Sequence, residues 1–301
     1  MKILVIQARP GIGDMCIFLP VIHQIAKLEN SKITILTKKR SSAKELTKFD
    51  PNIEEVIYFP KKKNLQFVNF LKTKKFSKCY IFHYGLKFYL LSKLINVNKI
   101  YYYGFFKKKT NISIEGLNQL KKWFNKKNIK PKCEIFLKNT IPEKEKSLII
   151  GIGGSGPTKK WNIENYLQLI TRIQCSNKDI KILIAGGNED YKNYLYLSKF
   201  SENKNLMSLC EKKIDECIQY ISSCKLYVGN DTGFMHLSGM LGVKSYGLFG
   251  DTPINYCDYN DLIFPIIPEK RSEIFHNSRA IDEISVDWVM KNIELDIKNI
   301  I

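Results

Sequence analysis

The chain has 301 residues, 44% of them apolar and 12% aromatic, enough to bury two separate cores and too much for an intrinsically disordered protein. Its formal net charge of +19 would suit a nucleic-acid binder, but the excess is almost all lysine, with arginine only at 9, 40, 172, 271 and 279, and so reflects composition as much as selection for a polyanion. No apolar run approaches the ~20 residues that span a bilayer, and Met1 and Lys2 lead into a strand with no signal-peptide cleavage pattern, so the expectation is a cytoplasmic protein, at most peripheral to a membrane.

The first half alternates short apolar runs with longer amphipathic ones. Runs at 2–6, 32–36, 55–59, 79–83 and 99–103 read as strands, and crossovers of ten or more residues between them argue for a parallel sheet covered by helices. After the first run comes Gly11-x-Gly13-Asp14. A dinucleotide-binding turn would want a third small residue where Cys16 stands, and a carboxylate at the turn would repel a pyrophosphate. Asp14 therefore reads as an N-cap, as a general base presented to a ligand, or as both.

Lysines then cluster at 61–63, at 72, 74 and 75, at 107–109, at 121–122 and at 126–127, several beside aromatics. Such a surface is either a solvated face or one drawn to anionic lipid headgroups or a phosphorylated acceptor. The polar stretch 138–147, with Pro142 and alternating charge, is the expected join between domains 1–142 and 143–284, followed by an amphipathic helix in 285–301 placed to pack back on the N-terminal domain.

The second half repeats the strand-helix scheme, with apolar runs at 147–153, 181–187, 225–230 and 244–250. Ligands of open parallel sheets bind at the carboxyl ends of strands, so the loops after these runs carry the interest. The first, 151–166, combines a Gly/Ser turn with Thr158, Lys159 and Lys160. It is a phosphate cradle in type, without the P-loop pattern, or else a surface turn with Trp161 as a packing anchor. The second holds Gly187 and Glu189, whose carboxylate could accept hydrogen bonds from a ribose. In the third, a strand ending at Val228 leads to Asp231, Thr232 and Gly233 and then to His236, one helical turn after Thr232. This is a helix N-terminus suited to phosphate, or a plainly capped helix. The eight cysteines form no C-x-x-C pair and no metal-type cluster. They read as reduced, mostly buried small hydrophobes, with Cys210, Cys217 and Cys224 on one apolar face.

In this order along the chain, Gly13-Asp14 before Leu19-Pro20, then Gly153, Lys159 and Trp161, then Asp231-Thr232-Gly233 with His236 and a following Gly-Leu-Phe-Gly, the sequence resembles the ADP-heptose:lipopolysaccharide heptosyltransferases of glycosyltransferase family 9. The resemblance implies a GT-B fold, two Rossmann-like parallel-sheet domains facing across a cleft. It implies an ADP-sugar donor on the second domain, with Thr158, Lys159, Asp231, Thr232, Gly233 and His236 around the diphosphate and Gly187 and Glu189 near the ribose or base. Asp14 would face the sugar as general base, with Arg9, Gly11 and Gly13 in the acceptor loop. An inverting transfer to a lipopolysaccharide core or related glycan follows. No cofactor or metal is expected, and the chain has no D-x-D motif. The expected partners are the donor, a glycolipid or phosphorylated glycan acceptor and the anionic inner face of the bacterial inner membrane, with no nucleic acid.

The sequence departs from the family pattern at Gln7-Ala8-Arg9, at Asn162 and at Gly250-Asp251-Thr252, where arginine, proline and G-P-T are common. Two competing classes are a nucleotide-sugar epimerase or phosphorylase-like enzyme, which needs no glycan acceptor, and a non-catalytic basic polyanion-binding protein.

Overall fold

The computed structural model describes residues 1–62, 64–104, 111–138, 144–176, 179–201 and 205–300. Lys63, the lysines at 107–109 and Pro142 of the expected domain join lie outside the described residues. The chain divides into two compact units, Met1–Lys138 and Asn139–Ile301.

The first unit has strands β1 (Ile3–Ile6), β2 (Ile33–Thr37), β3 (Ile53–Tyr58), β4 (Lys78–Ile81) and β5 (Lys99–Tyr102), with helices α1 (Ile12–Glu29), α2 (Ala43–Leu46), α3 (Leu65–Thr73), α4 (Leu86–Leu94) and α5 (Ile112–Phe124). The strands lie in the order β3-β2-β1-β4-β5, all parallel. Side chains alternate between the two faces. Leu4, Ile6, Leu36, Ile57 and Ile81 form one core with Leu71 of α3 and Phe88 of α4. On the other face, Tyr80 stacks on Tyr101 and meets Trp123 and Phe124 of α5. With both faces covered, the central strands need continuous apolar runs, which mark them in the linear chain. β1 and β4 are neighbours although β2 and β3 intervene in sequence. The winding reverses there, and a crevice opens beyond their carboxyl ends.

The second unit repeats the plan with β6 (Ser147–Gly151), β7 (Lys181–Ala185), β8 (Leu206–Ser208), β9 (Leu226–Asn230), β10 (Lys244–Leu248) and β11 (Ile263–Ile266), in the order β11-β10-β9-β6-β7-β8. Its helices are α6 (Ile163–Ser176), α7 (Tyr191–Phe200), α8 (Ile214–Ser222), α9 (Gly233–Met240) and α10 (Val286–Ile300). The reversal falls between β6 and β9. There the strands approach so closely that a Cβ on Gly229 would lie 2.3 Å from the Gly151 carbonyl oxygen, so glycine is required.

All nine expected runs form strands, and β9 extends to Asn230 rather than stopping at Val228. The edge strands β8 and β11 are not among the expected runs. β8 has three residues, and β11 contains Pro265, which an edge strand tolerates. Val289, Ile293, Ile297 and Ile300 of α10 are buried in the second unit's own core with Leu169, Ile170 and Ile173 of α6. Spaced along one helical face, each contributes roughly 1.5–3 kcal/mol as an upper estimate, so that stripe is already used where it sits.

Candidate active site

Each unit carries one cluster of polar side chains at its reversal point. In the first, Gly11 precedes α1 and its N–H donates to Asp14 Oδ2 at 3.1 Å, while the Gln7 side-chain amide donates to the Asp14 carbonyl at 3.2 Å. A Cβ on Gly11 would lie 3.0 Å from that carboxylate oxygen, so the glycine makes room for the cap. The other oxygen, Oδ1, stands 3.6 Å from the Arg9 guanidinium, and the Asp14 side chain is 26% exposed. Gly13 is the second residue of α1. The cap therefore uses one lone-pair direction and leaves the carboxylate open to a pocket of about 320 Å³, lined by Arg9, Asp14, Lys38, Phe82, His83 and Tyr84.

His83 carries no sequence signal, because it follows β4 in a loop with no motif. Its Nδ1 accepts a hydrogen bond from the Gly85 N–H at 2.9 Å, and its ring stacks on Tyr84 and meets Phe88 edge-on. Burial, with the charges of Lys87, Arg9 and Lys38, pushes the imidazole below its ordinary value. At neutral pH the ring is neutral, with Nδ1 an acceptor and the proton on Nε2.

In the second unit, Thr232 precedes α9 and its hydroxyl accepts from the Phe234 N–H at 3.3 Å, leaving the first turn of α9 directed outward with the positive end of its dipole. Asp231 holds two basic groups, Lys159 Nζ at 3.5 Å and His236 Nε2 at 3.7 Å. His236 is buried, with its Nδ1 3.2 Å from the Tyr259 hydroxyl. Burial alone would raise the Asp231 carboxyl, but the hydrogen bond and charge of His236, the charge of Lys159 and the Thr252 hydroxyl hold it below the usual carboxylate value. It stays ionised and fixes two positively charged or polarisable groups beside a helix N-terminus.

The loop 152–162 is tied to this cluster by Asn230, the last residue of β9. Its side-chain Nδ2 donates to the carbonyls of Ile152 and Gly153 at 3.1 and 2.9 Å, and its side-chain Oδ1 accepts from the Trp161 N–H at 3.1 Å. Trp161 is buried against Tyr166 and donates its indole N–H to the Ile284 carbonyl. Thr158 donates its hydroxyl to Asp251 at 2.8 Å, and the Arg279 N–H reaches the other Asp251 oxygen at 3.0 Å. Burial would raise the Asp251 carboxyl, but these two hydrogen bonds, with the charges of Lys159 and Arg279, bring it below its ordinary value.

A family model, glycosyltransferase family 9 (heptosyltransferase), matches residues 112–267, just over half of the chain. The chain belongs to glycosyltransferase family 9. A lipooligosaccharide heptosyltransferase 2 of Campylobacter jejuni subsp. jejuni serotype O:2 is 30% identical over 131 residues, which cover 42% of this chain and 41% of that protein. The match thus spans about two fifths of the curated relative's length. In solved structures the family fold extends over the whole chain. E. coli ADP-heptose lps heptosyltransferase II superposes with a TM-score of 0.80 at 15% identity, covering 99% of each chain. E. coli heptosyltransferase WaaC, solved with ADP, gives 0.78 at 16% identity, covering 99% of this chain and 98% of that one. The two parallel-sheet units are therefore the GT-B fold of the family.

Of the residues read from the sequence, Lys159, Asp231, Thr232, Gly233 and His236 come together at the reversal of the second sheet of this family 9 protein. Thr158 is adjacent but engaged with Asp251, the residue at which the sequence departs from the family pattern. Glu189 is exposed beside Gly187, where a Cβ would meet its carboxylate. The buried acid of that loop is Asp190, which accepts from the Gly187 N–H at 2.9 Å and pairs with Lys160. Among the described residues, no group of three or more His, Cys, Asp or Glu side chains is arranged to hold a metal ion.

Proposed function

We propose that this family 9 chain transfers a heptose-like sugar from an ADP-linked donor to a lipopolysaccharide core or related cell-surface glycan, with inversion at the anomeric carbon. The observation that carries the reading is the arrangement of basic groups at α9. A carboxylate held ionised in a buried position keeps Lys159 and His236 beside the helix N-terminus, where a diphosphate would gather negative charge. Asp231 acts here as a positioning residue. Being an anion, it serves the diphosphate through Lys159 and His236, while Thr232 and Gly233 supply the helix start.

In the reaction, Asp14 takes the proton of the acceptor hydroxyl as that oxygen bonds to the anomeric carbon. The bond from that carbon to the diphosphate breaks on the opposite face, and ADP leaves with one more negative charge. Lys159, His236 and the α9 dipole stabilise that charge, the role a divalent cation fills in other transferases. Arg9 and Lys38 beside Asp14 suit an acceptor that carries phosphate or carboxylate groups. The protein would work at the cytoplasmic face of the inner membrane, drawn there by its lysines.

The test is turnover of ADP-heptose with extracted lipopolysaccharide core, reading the anomeric configuration of the product by NMR with and without EDTA. Acceptor-dependent release of ADP, an inverted linkage and indifference to EDTA are expected. Sugar turnover with no acceptor would instead point to an epimerase-like enzyme. Sedimentation with anionic vesicles should weaken as salt rises.

A further inference from the structure

Helices α3 and α4 leave a groove of about 400 Å³ on the first unit. Phe59, Phe67, Val68, Phe88, Leu91 and Leu94 make it apolar, and its charged lining residues among those described are Lys38, Lys61 and Lys87, with no acid. Along α4, Leu86, Leu90 and Leu94 follow one another at intervals of four, on one helical stripe, and are 66%, 59% and 61% exposed. Leu65 and Phe70 of α3 are exposed as well. A soluble protein rarely leaves so many large apolar side chains in one place without a partner.

Two observations say what that partner is. First, the groove borders the Asp14 pocket. Lys38 lines both, and the His83 ring of the pocket meets the Phe88 ring of the groove at 4.8 Å. An occupant of the groove is therefore adjacent to the acceptor at Asp14. Second, the groove is a cavity whose charged lining residues, among those described, are all lysine. A slender apolar chain can enter it where a flat bilayer surface cannot, and anionic groups at the head of that chain would meet Lys38, Lys61 and Lys87.

We propose that the α3–α4 groove binds an acyl chain of the acceptor, so that this groove, and not the sugar pocket alone, sets acceptor affinity. The inference rests on the transferase reading above. Each buried methylene contributes about fourfold in affinity, so a few of them are enough to separate lipidated from delipidated acceptors.

The test compares KM for a lipopolysaccharide-core acceptor with and without its acyl chains, in the full chain and in the Leu90→Gln, Leu94→Gln double variant. Both leucines are largely exposed, so the variant should fold. The acylated acceptor should have a KM at least tenfold lower in the parent protein, and the double variant should bring that ratio close to one. A ratio near one in the parent, or one that the variant does not move, overturns the proposal. Calorimetry with dodecyl phosphate below its micelle-forming concentration tests the groove without any turnover. Binding should weaken about tenfold in the double variant and also in Lys87→Glu, and no binding to the parent overturns the groove. If no ADP-sugar is turned over at all, the transferase reading fails, while the dodecyl phosphate result still decides whether the groove takes an anionic amphiphile. Vesicle binding that the double variant abolishes, with no dodecyl phosphate binding, would assign the leucines to a bilayer surface and also overturn the proposal.

Discussion

Each reversal point places an aspartate near the start of the helix that follows a central strand, Asp14 in the first turn of α1 and Asp231 just before the Thr232 cap of α9, and the two are treated in opposite ways. Asp14 is 26% exposed and shares one oxygen with the Gly11 N–H, with Arg9 at 3.6 Å from the other. Asp231 is 9% exposed and is surrounded by His236, Lys159 and Thr252. An acid that must accept a proton needs an open lone pair and weak neighbours. An acid that must stay ionised to hold basic groups in place needs the reverse. The fold is one plan used twice, and the difference in chemistry comes from which charges the loops bring to each carboxylate.

The largest effect should come from Asp14→Asn. The amide keeps the shape but cannot take a proton, so transfer should fall by about 10²–10⁴-fold while ADP affinity, read by calorimetry, stays unchanged. Full activity in that variant would erase the distinction between the two aspartates. Lys159→Ala should weaken ADP binding by about 10–100-fold, the range of one or two charge-assisted hydrogen bonds. Calorimetric affinity equal to the parent would remove Lys159 from the donor site.

Next comes stability. The Asp231 carboxyl lies below its unfolded value of about 3.9, so its contribution is complete above that pH and is lost as pH falls through the lower folded value. Asp231→Asn should therefore cost about 1–3 kcal/mol at neutral pH, lowering Tm by several degrees, and the gap to the parent should narrow below about pH 4. A constant gap down to pH 2 would contradict the ionised, buried acid. The smallest effect concerns His83, whose depressed pKa keeps it neutral. An NMR titration should place it below the ordinary histidine value of about 6.5, and a value above that would mean that Asp14 dominates the pocket instead of the cations.

Much of this was legible in the linear chain. Strands buried on both faces must be apolar throughout, so nine of them stood out, whereas β8 and the proline-containing β11 at the edges did not. The helix start at Thr232 was readable because capping is local, decided within three or four residues. Trp161 proved to be the packing anchor that one reading allowed. What failed to show were contacts between distant positions: Asn230 clamping the 152–162 loop, Asp251 binding Thr158, and His83 and Lys38 beside Asp14. None of these has a spacing that a sequence pattern could detect.

By itself, then, the sequence determined the double α/β plan, the family motifs and the residue types at each strand end, because backbone periodicity and capping are short-range. Only the tertiary structure decided the state of each group. It set which aspartate is open and which is buried among basic groups, which acid of the Gly187 loop points inward, and that Leu90 and Leu94 of α4 lie exposed along a groove that shares Lys38 with the Asp14 pocket. Charge state and exposure depend on neighbours that the sheet order brings together from far along the chain, and that order is fixed by packing the two faces of each sheet.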